Sequence, residues 1–209
     1  MKKLITAAVP AMAVILGISA FAAQPVSNEY DIAIAAHAET AEDAVKAALA
    51  AGIIENADYN LSEDITRLEF CELAYNVINS VKELPVAKLA RAPFDDVSSY
   101  KVNALAFVGI VSGKGEYTFA PDDKLTREEA AVILYRIAKY ADAEMPAVKV
   151  DMTYSDNGEI SDWAVAPVYS LKVSGIVSNS DGEKFNPGAN YTVGETISSL
   201  VKLNEFIRK

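Results

Sequence analysis

The chain has 209 residues, a formal net charge of −10, one cysteine and one histidine, and 51% of its residues are apolar. So acidic a chain lacks the basic footprint that a phosphate backbone rewards, which excludes nucleic acid as a partner. The lone Cys71 forbids an intramolecular disulfide, so an apolar core has to hold the fold.

At the N-terminus, Lys2 and Lys3 precede an apolar stretch from Leu4 to Ile18 and then Ala20-Phe21-Ala22. A short positive region, an apolar core and a small-x-small site predict a secretory signal peptide over residues 1–22. The stretch is too short and too broken for a membrane span. No later apolar run reaches about 20 residues, so no membrane partner is expected after cleavage. A second small-residue site, Ala36-His37-Ala38, is the alternative cut, and residues 23–39 read as a disordered leader.

Beyond the leader the chain repeats itself. Offset by 66 positions, residues 102–134 give 11 identities in 33 ungapped positions, among them Gly109/Gly175, Phe119/Phe185, Pro121/Pro187 and Thr126/Thr192. Chance at ordinary residue frequencies gives roughly two. Asp96/Asp162 extends the match upstream. A shorter copy precedes these, with Gly52-Ile53-Ile54 against Gly109-Ile110-Val111 and Ile65-Thr66-Arg67 against Leu125-Thr126-Arg127. Its Gly-to-Thr spacing is 14 residues against 17 in the others, a three-residue loop deletion.

Each unit reads as helix, loop, helix, which makes the chain all-α. The first helix ends at a glycine, which takes the left-handed conformation that closes a helix. The second begins with a capping box: Thr66 with Glu69, Thr126 with Glu129, Thr192 with Glu195. In such a box the hydroxyl accepts one free backbone N–H and the carboxylate another, contributing about 1 kcal/mol per helix. Apolar residues follow at helical spacing, as in Phe70, Leu73, Ala74 and Val77, or Ile133, Leu134 and Ile137. Proline-containing connectors run over 82–93 and 142–153, and each leads into an aromatic and an aspartate, Phe94-Asp95-Asp96 and Tyr154-Ser155-Asp156. These lead-ins predict a hydrophobic staple and an N-cap.

Taken together, Phe94-Asp95-Asp96-Val97, Gly109-Ile110-Val111-Ser112-Gly113, Phe119-Ala120-Pro121 and Leu125-Thr126-Arg127-Glu128-Glu129 resemble the unit of S-layer homology domains. The resemblance spans roughly residues 40 to 207. It implies three helix-loop-helix repeats, 40–81, 94–141 and 154–207, packed as a pseudo-threefold bundle. It also implies a secreted, non-catalytic cell-surface protein that binds a secondary cell-wall polysaccharide, often pyruvylated, in grooves between repeats. Arg127 and Arg67 would grip the acidic sugar, with Ser112, Gly113 and Lys114 beside Arg127 and with Trp163 and Asp96 as further contacts.

A guanidinium suits this role, being permanently charged and able to hold a carboxylate through two parallel hydrogen bonds. The free N–H groups of a helix start favour an anion too. The bland alternatives are a solvated arginine paired with Glu128, a packing role for Trp163 and an ordinary loop at 112–114. The third copy keeps Thr192 and Glu195 but has Val193 in place of arginine and Asn179 in place of Gly113, so it reads as structural. Decayed sugar sites would leave a different function, an envelope assembly or adhesion protein that binds other surface proteins.

Catalysis finds little support. His37 lies in the leader, which leaves Ser-His-Asp and Cys-His schemes without a base and removes His- or Cys-based metal sites. Cys71, between Phe70 and Glu72, reads as a small buried apolar residue. The acidic loops Asp156-Asn157-Gly158-Glu159 and Asn179-Ser180-Asp181-Gly182 do not fit an EF-hand. No cofactor and no metal are expected.

Overall fold

Each sequence unit contributes two α-helices. A computed structural model describes residues 40–85, 93–147, 154–178 and 183–209. The expected signal peptide and leader with His37, the middle of both connectors, and Asn179–Gly182 lie outside the described residues. In chain order the helices are α1 (Ala41–Ala50), α2 (Arg67–Asn79), α3 (Tyr100–Phe107), α4 (Arg127–Tyr140), α5 (Asp162–Val173) and α6 (Val193–Phe206). Among the described residues there are isolated β-bridges but no strands. None of the described helices is long and apolar enough to cross a membrane.

The helix ends are closed as their chemistry dictates. Gly52, Gly109 and Gly175 follow α1, α3 and α5 with φ of +68°, +76° and +70°. The next residue then donates back over the turn, Ile53 to Ala48, Ile110 to Leu105 and Ile176 to Leu171, at 2.9–3.0 Å. All three capping boxes are formed in full at the starts of α2, α4 and α6.

The two helices of a unit do not pack on each other. Instead α3 packs on α2, α5 on α4 and α1 on α6, so every first helix lies against the second helix of the preceding unit, cyclically. The loops interlock in the same sense. Leu125 donates its N–H to the carbonyl of Ile65, Ile65 to that of Tyr191, and Tyr191 to that of Leu125, a closed ring of three backbone bonds at 2.8–3.2 Å. All three side chains are buried. Antiparallel bridges Thr66–Lys124, Thr126–Asn190 and Asp64–Thr192 surround the ring. Apolar faces that one unit cannot cover alone are thereby covered by its neighbours.

The aspartates of the lead-ins do something other than cap the following helix. Ser99 and Ser161 occupy those N-cap positions, neither with a side-chain cap bond. Asp96 reaches across the unit to accept from the N–H groups of Phe119 and Ala120, both at 2.8 Å. Asp156 does the same for Phe185 and Asn186, at 2.9 and 2.6 Å. Ala120 and Asn186 have φ of +60° and +54°, a conformation that L residues rarely adopt, so each carboxylate pins a loop that would otherwise relax. Asp156 is thus the counterpart of Asp96. Asp162, which the 66-residue offset aligns with Asp96, opens α5 instead, because a short 3-10 turn at Asn157–Glu159 is inserted between them.

The N–H groups of Phe119 and Ala120 hold the Asp96 carboxyl below its usual range. Burial pulls Asp156 upward, but the bonds from Phe185 and Asn186 outweigh it and the net direction is down. A depressed folded pKa adds stability above the unfolded value of about 3.9, and that stability is lost as pH falls through the folded value. Thermal melts are therefore expected to stay level from neutral pH down to about 5 and to fall below about 4. Asp156→Asn should flatten that acid limb; an unchanged limb would remove the aspartates from the account.

Candidate functional site

Two clefts carry the arginines, and each is built from three units. Arg67, at the start of α2, is only 6% exposed. Its Nε donates to the carbonyl of Phe119 and its NH2 to that of Ser112, both at 3.1 Å. Its guanidinium stacks on the Phe119 ring, 4.9 Å from the centroid. Arg127, 4% exposed, repeats the pattern one unit on, donating to Phe185 at 2.7 Å and to Ser178 at 3.0 Å. It lies between the rings of Phe185 and Tyr191 and forms an ion pair with Glu195. Neither arginine is the solvated side chain of the bland alternative, and neither is left spare, since both are largely committed to protein partners. Each is a clamp between its own unit and the loop of the next.

The helix-start N–H groups are likewise committed. Arg67 and Leu68 donate to Asp123 and Pro121, Arg127 and Glu128 to Ala189 and Pro187, and Val193 and Gly194 to Glu63 and Leu61. With the threonine taking the third N–H, no part of the first turn is left to receive an anion.

The first cleft, of about 320 Å³, is lined by Arg67, by Val111 to Lys114, by Glu129, Val132, Ile133 and Arg136 of α4, and by Trp163 of α5. Ser112, Gly113 and Lys114 therefore stand beside Arg67, whereas the sequence reading put them beside Arg127. Trp163 is 55% exposed, so it is not a core residue. Asp96 does not line the cleft, since its carboxylate is committed beneath the Phe119 loop.

Three cations meet here. Arg136 NH1 lies 3.3 Å from the Ile110 carbonyl and 3.4 Å from Ser112 Oγ. Lys114 Nζ lies 3.0 Å from Asp123 and 3.6 Å from Glu129, while Glu129 stays 3.9 Å from Arg67. A Cβ on Gly113 would sit 2.5 Å from the Thr118 carbonyl oxygen and 2.8 Å from the Phe94 ring, so only glycine fits that wall.

The second cleft, of about 210 Å³, has the same construction but different chemistry. Arg127 and Glu195 face Ser178, Ser198 and Ser199, with Tyr191 below and Thr40 at the rim. Thr40 precedes Gly52 by twelve residues, as Trp163 precedes Gly175. Burial pushes the Tyr191 phenol up to about 12, with Ser199 and Arg127 pulling the other way, so it stays neutral. Cys71 is buried and its thiol is pushed up to about 12 by desolvation, which leaves no reactive thiolate.

Residues 93–131 match the family model of the S-layer homology domain. The chain carries an S-layer homology domain. That match covers the Phe94 lead-in, α3, the glycine loop and the first turn of α4. The chain is also 27% identical over 172 residues to an amylopullulanase of Thermoanaerobacterium thermosulfurigenes, covering 79% of this chain and 9% of the enzyme. It is 25% identical over 172 residues to exoglucanase XynX of Acetivibrio thermocellus, covering 79% and 15%. Over 103 residues it is 29% identical to an endoglucanase of a Bacillus species, covering 48% and 11%. The chain spans only about a tenth of the length of these relatives, so their enzymatic names describe proteins mostly outside the shared stretch. An S-layer homology domain implies association with the cell surface.

Sequence reasoning missed Arg136 and the part played by Glu129 as a cleft wall. The signal was present in the helical stripe Glu129, Val132, Ile133 and Arg136, with spacings of 3, 4 and 7, which puts all four on one face. Among the described residues no group of three His, Cys, Asp or Glu side chains is placed to hold a metal.

The clamp role has a measurable consequence. Arg127→Ala strands the carbonyl of buried Phe185, at about 1–3 kcal/mol when left unsatisfied, and removes the bond to the exposed Ser178 as well. Urea unfolding should report a loss of at least about 2 kcal/mol for Arg127→Ala, and a change within about 0.5 kcal/mol for the rim variant Lys114→Ala. Equal effects would return Arg127 to the surface.

Proposed function

We propose that this chain is a non-catalytic envelope protein that binds an anionic, pyruvylated secondary cell-wall polysaccharide and thereby stays on the bacterial surface. The observation that carries this reading is the convergence of Arg67, Lys114 and Arg136 on one open cleft with Trp163 exposed at its edge. A pyruvyl carboxylate there meets Lys114 and Arg136 as donors, over a floor kept positive by the buried Arg67. The indole offers a flat apolar face to a sugar ring. Val132 and Ile133 supply the apolar wall.

Each charged hydrogen bond contributes about 1.5–3 kcal/mol. Two of them place a single sugar near a millimolar Kd, which corresponds to about 4.1 kcal/mol. A polymer that repeats the sugar, met by many copies of the chain on one wall, raises holding strength without new contacts. The matched domain supports the cell-wall role, and the cleft supports the choice of an acidic sugar.

A second reading, adhesion or assembly through other surface proteins, draws on Tyr100 and Phe107, which stand exposed on one face of α3.

Sedimentation with wall sacculi separates the two. The protein is expected to pellet with native walls and to remain in solution with walls chemically stripped of the secondary polymer. Lys114→Ala, Arg136→Ala and Trp163→Ala should each reduce pelleting several-fold, and raised salt should reduce it further. Pelleting that is equal on stripped walls would replace polymer binding with protein binding.

A further inference from the structure

The two arginine clefts are built alike and charged differently. In the first, Lys114 stands near the capping carboxylate of Glu129, which stays 3.9 Å from Arg67, beyond hydrogen-bond reach. In the second, no described cation other than Arg127 lines the wall, and Glu195 pairs directly with it. The Glu195 side chain is 36% exposed against 4% for Arg127, so the carboxylate is the more solvent-facing partner of the pair. Its other oxygen is held by the N–H and hydroxyl of Thr192, at 3.0 and 3.1 Å, which keeps it from swinging aside.

We infer that Glu195 fills the second cleft as a built-in carboxylate ligand, leaving the Arg67–Lys114–Arg136 cleft as the anion site of the two. This rests on the reading that the chain binds an acidic sugar. An incoming carboxylate meets net positive charge in the first cleft. In the second it meets a neutral pair whose negative member is closer to solvent, and it has to displace an internal carboxylate already anchored by a helix cap. Like charges at that distance repel, and the ligand gains no new cation in exchange. Ser198 and Ser199 stand where the first cleft has Val132 and Ile133, so that wall of the second cleft is hydroxyl-lined rather than apolar.

Glutamine serves in a capping box as glutamate does. Glu195→Gln therefore keeps the helix start while removing the charge that covers Arg127. The test is protein-observed NMR on the full chain with a pyruvylated methyl hexoside as the probe. For the native chain, saturable shifts are expected at Gly113, Lys114 and the Trp163 indole only. For Glu195→Gln a second set should appear at Ser178 and Gly194, taking the count from one site to two. Arg136→Ala should abolish the first set and leave the fold intact.

Two sets of shifts in the native chain would overturn the inference, as would a single set in Glu195→Gln; either result leaves the anchoring role standing. Absence of shifts in both proteins would remove the acidic-sugar reading itself, and this inference with it.

Discussion

The start of an α-helix exposes three or four N–H groups that have no partner within the helix. In this protein the three second helices solve that problem together. Threonine and glutamate satisfy one end locally, and the remaining N–H groups are donated to loop carbonyls of the next unit. Because each unit donates to the next and the last returns to the first, the arrangement closes on itself around Ile65, Leu125 and Tyr191. Removing any one unit would leave a helix start and a loop unpaired on either side. The three units are therefore tied to one another by a closed ring of hydrogen bonds, although each is short.

The same geometry decides what the arginines can do. A guanidinium has five donors in a planar fork. Arg67 and Arg127 commit Nε and NH2 to loop carbonyls and rest a face on an aromatic ring, which makes burial of the charge tolerable. Only the remaining edge faces a cleft. A residue that looks like a ligand-binding fork in sequence is first a structural clamp, and its charge sits in the lining of a cleft. The cations nearer the rim are Lys114, paired with Asp123, and Arg136, held by the Ile110 carbonyl.

Departures from threefold symmetry carry the individuality of the chain. At the junction of the third unit with the first, Val193 and Gly194 replace the arginine and its neighbour. A Cβ on Gly194 would lie 3.0 Å from the Leu61 carbonyl oxygen, so the shortened first loop and this glycine fit each other closely. That junction is closed by packing. The junction of the second unit with the third keeps its arginine but satisfies it with Glu195. The junction of the first with the second combines an apolar wall, three cations and an exposed indole. One repeated plan thus carries three chemically different seams.

Most of the local chemistry was legible in the amino-acid order, although the lead-in aspartates read as N-caps serve distant loops instead. The capping boxes, the helix-ending glycines and the amphipathic stripes depend on residues a few positions apart, and each is realised in the fold. Tertiary structure alone decided which unit touches which. Pairing α3 with α2 rather than with α4, sending Asp96 to Phe119, and placing Ser112–Lys114 beside Arg67 all depend on contacts 20 to 60 residues apart. Local periodicity carries no record of these contacts, because burying an apolar stripe constrains how much surface must be covered and leaves open which neighbour covers it.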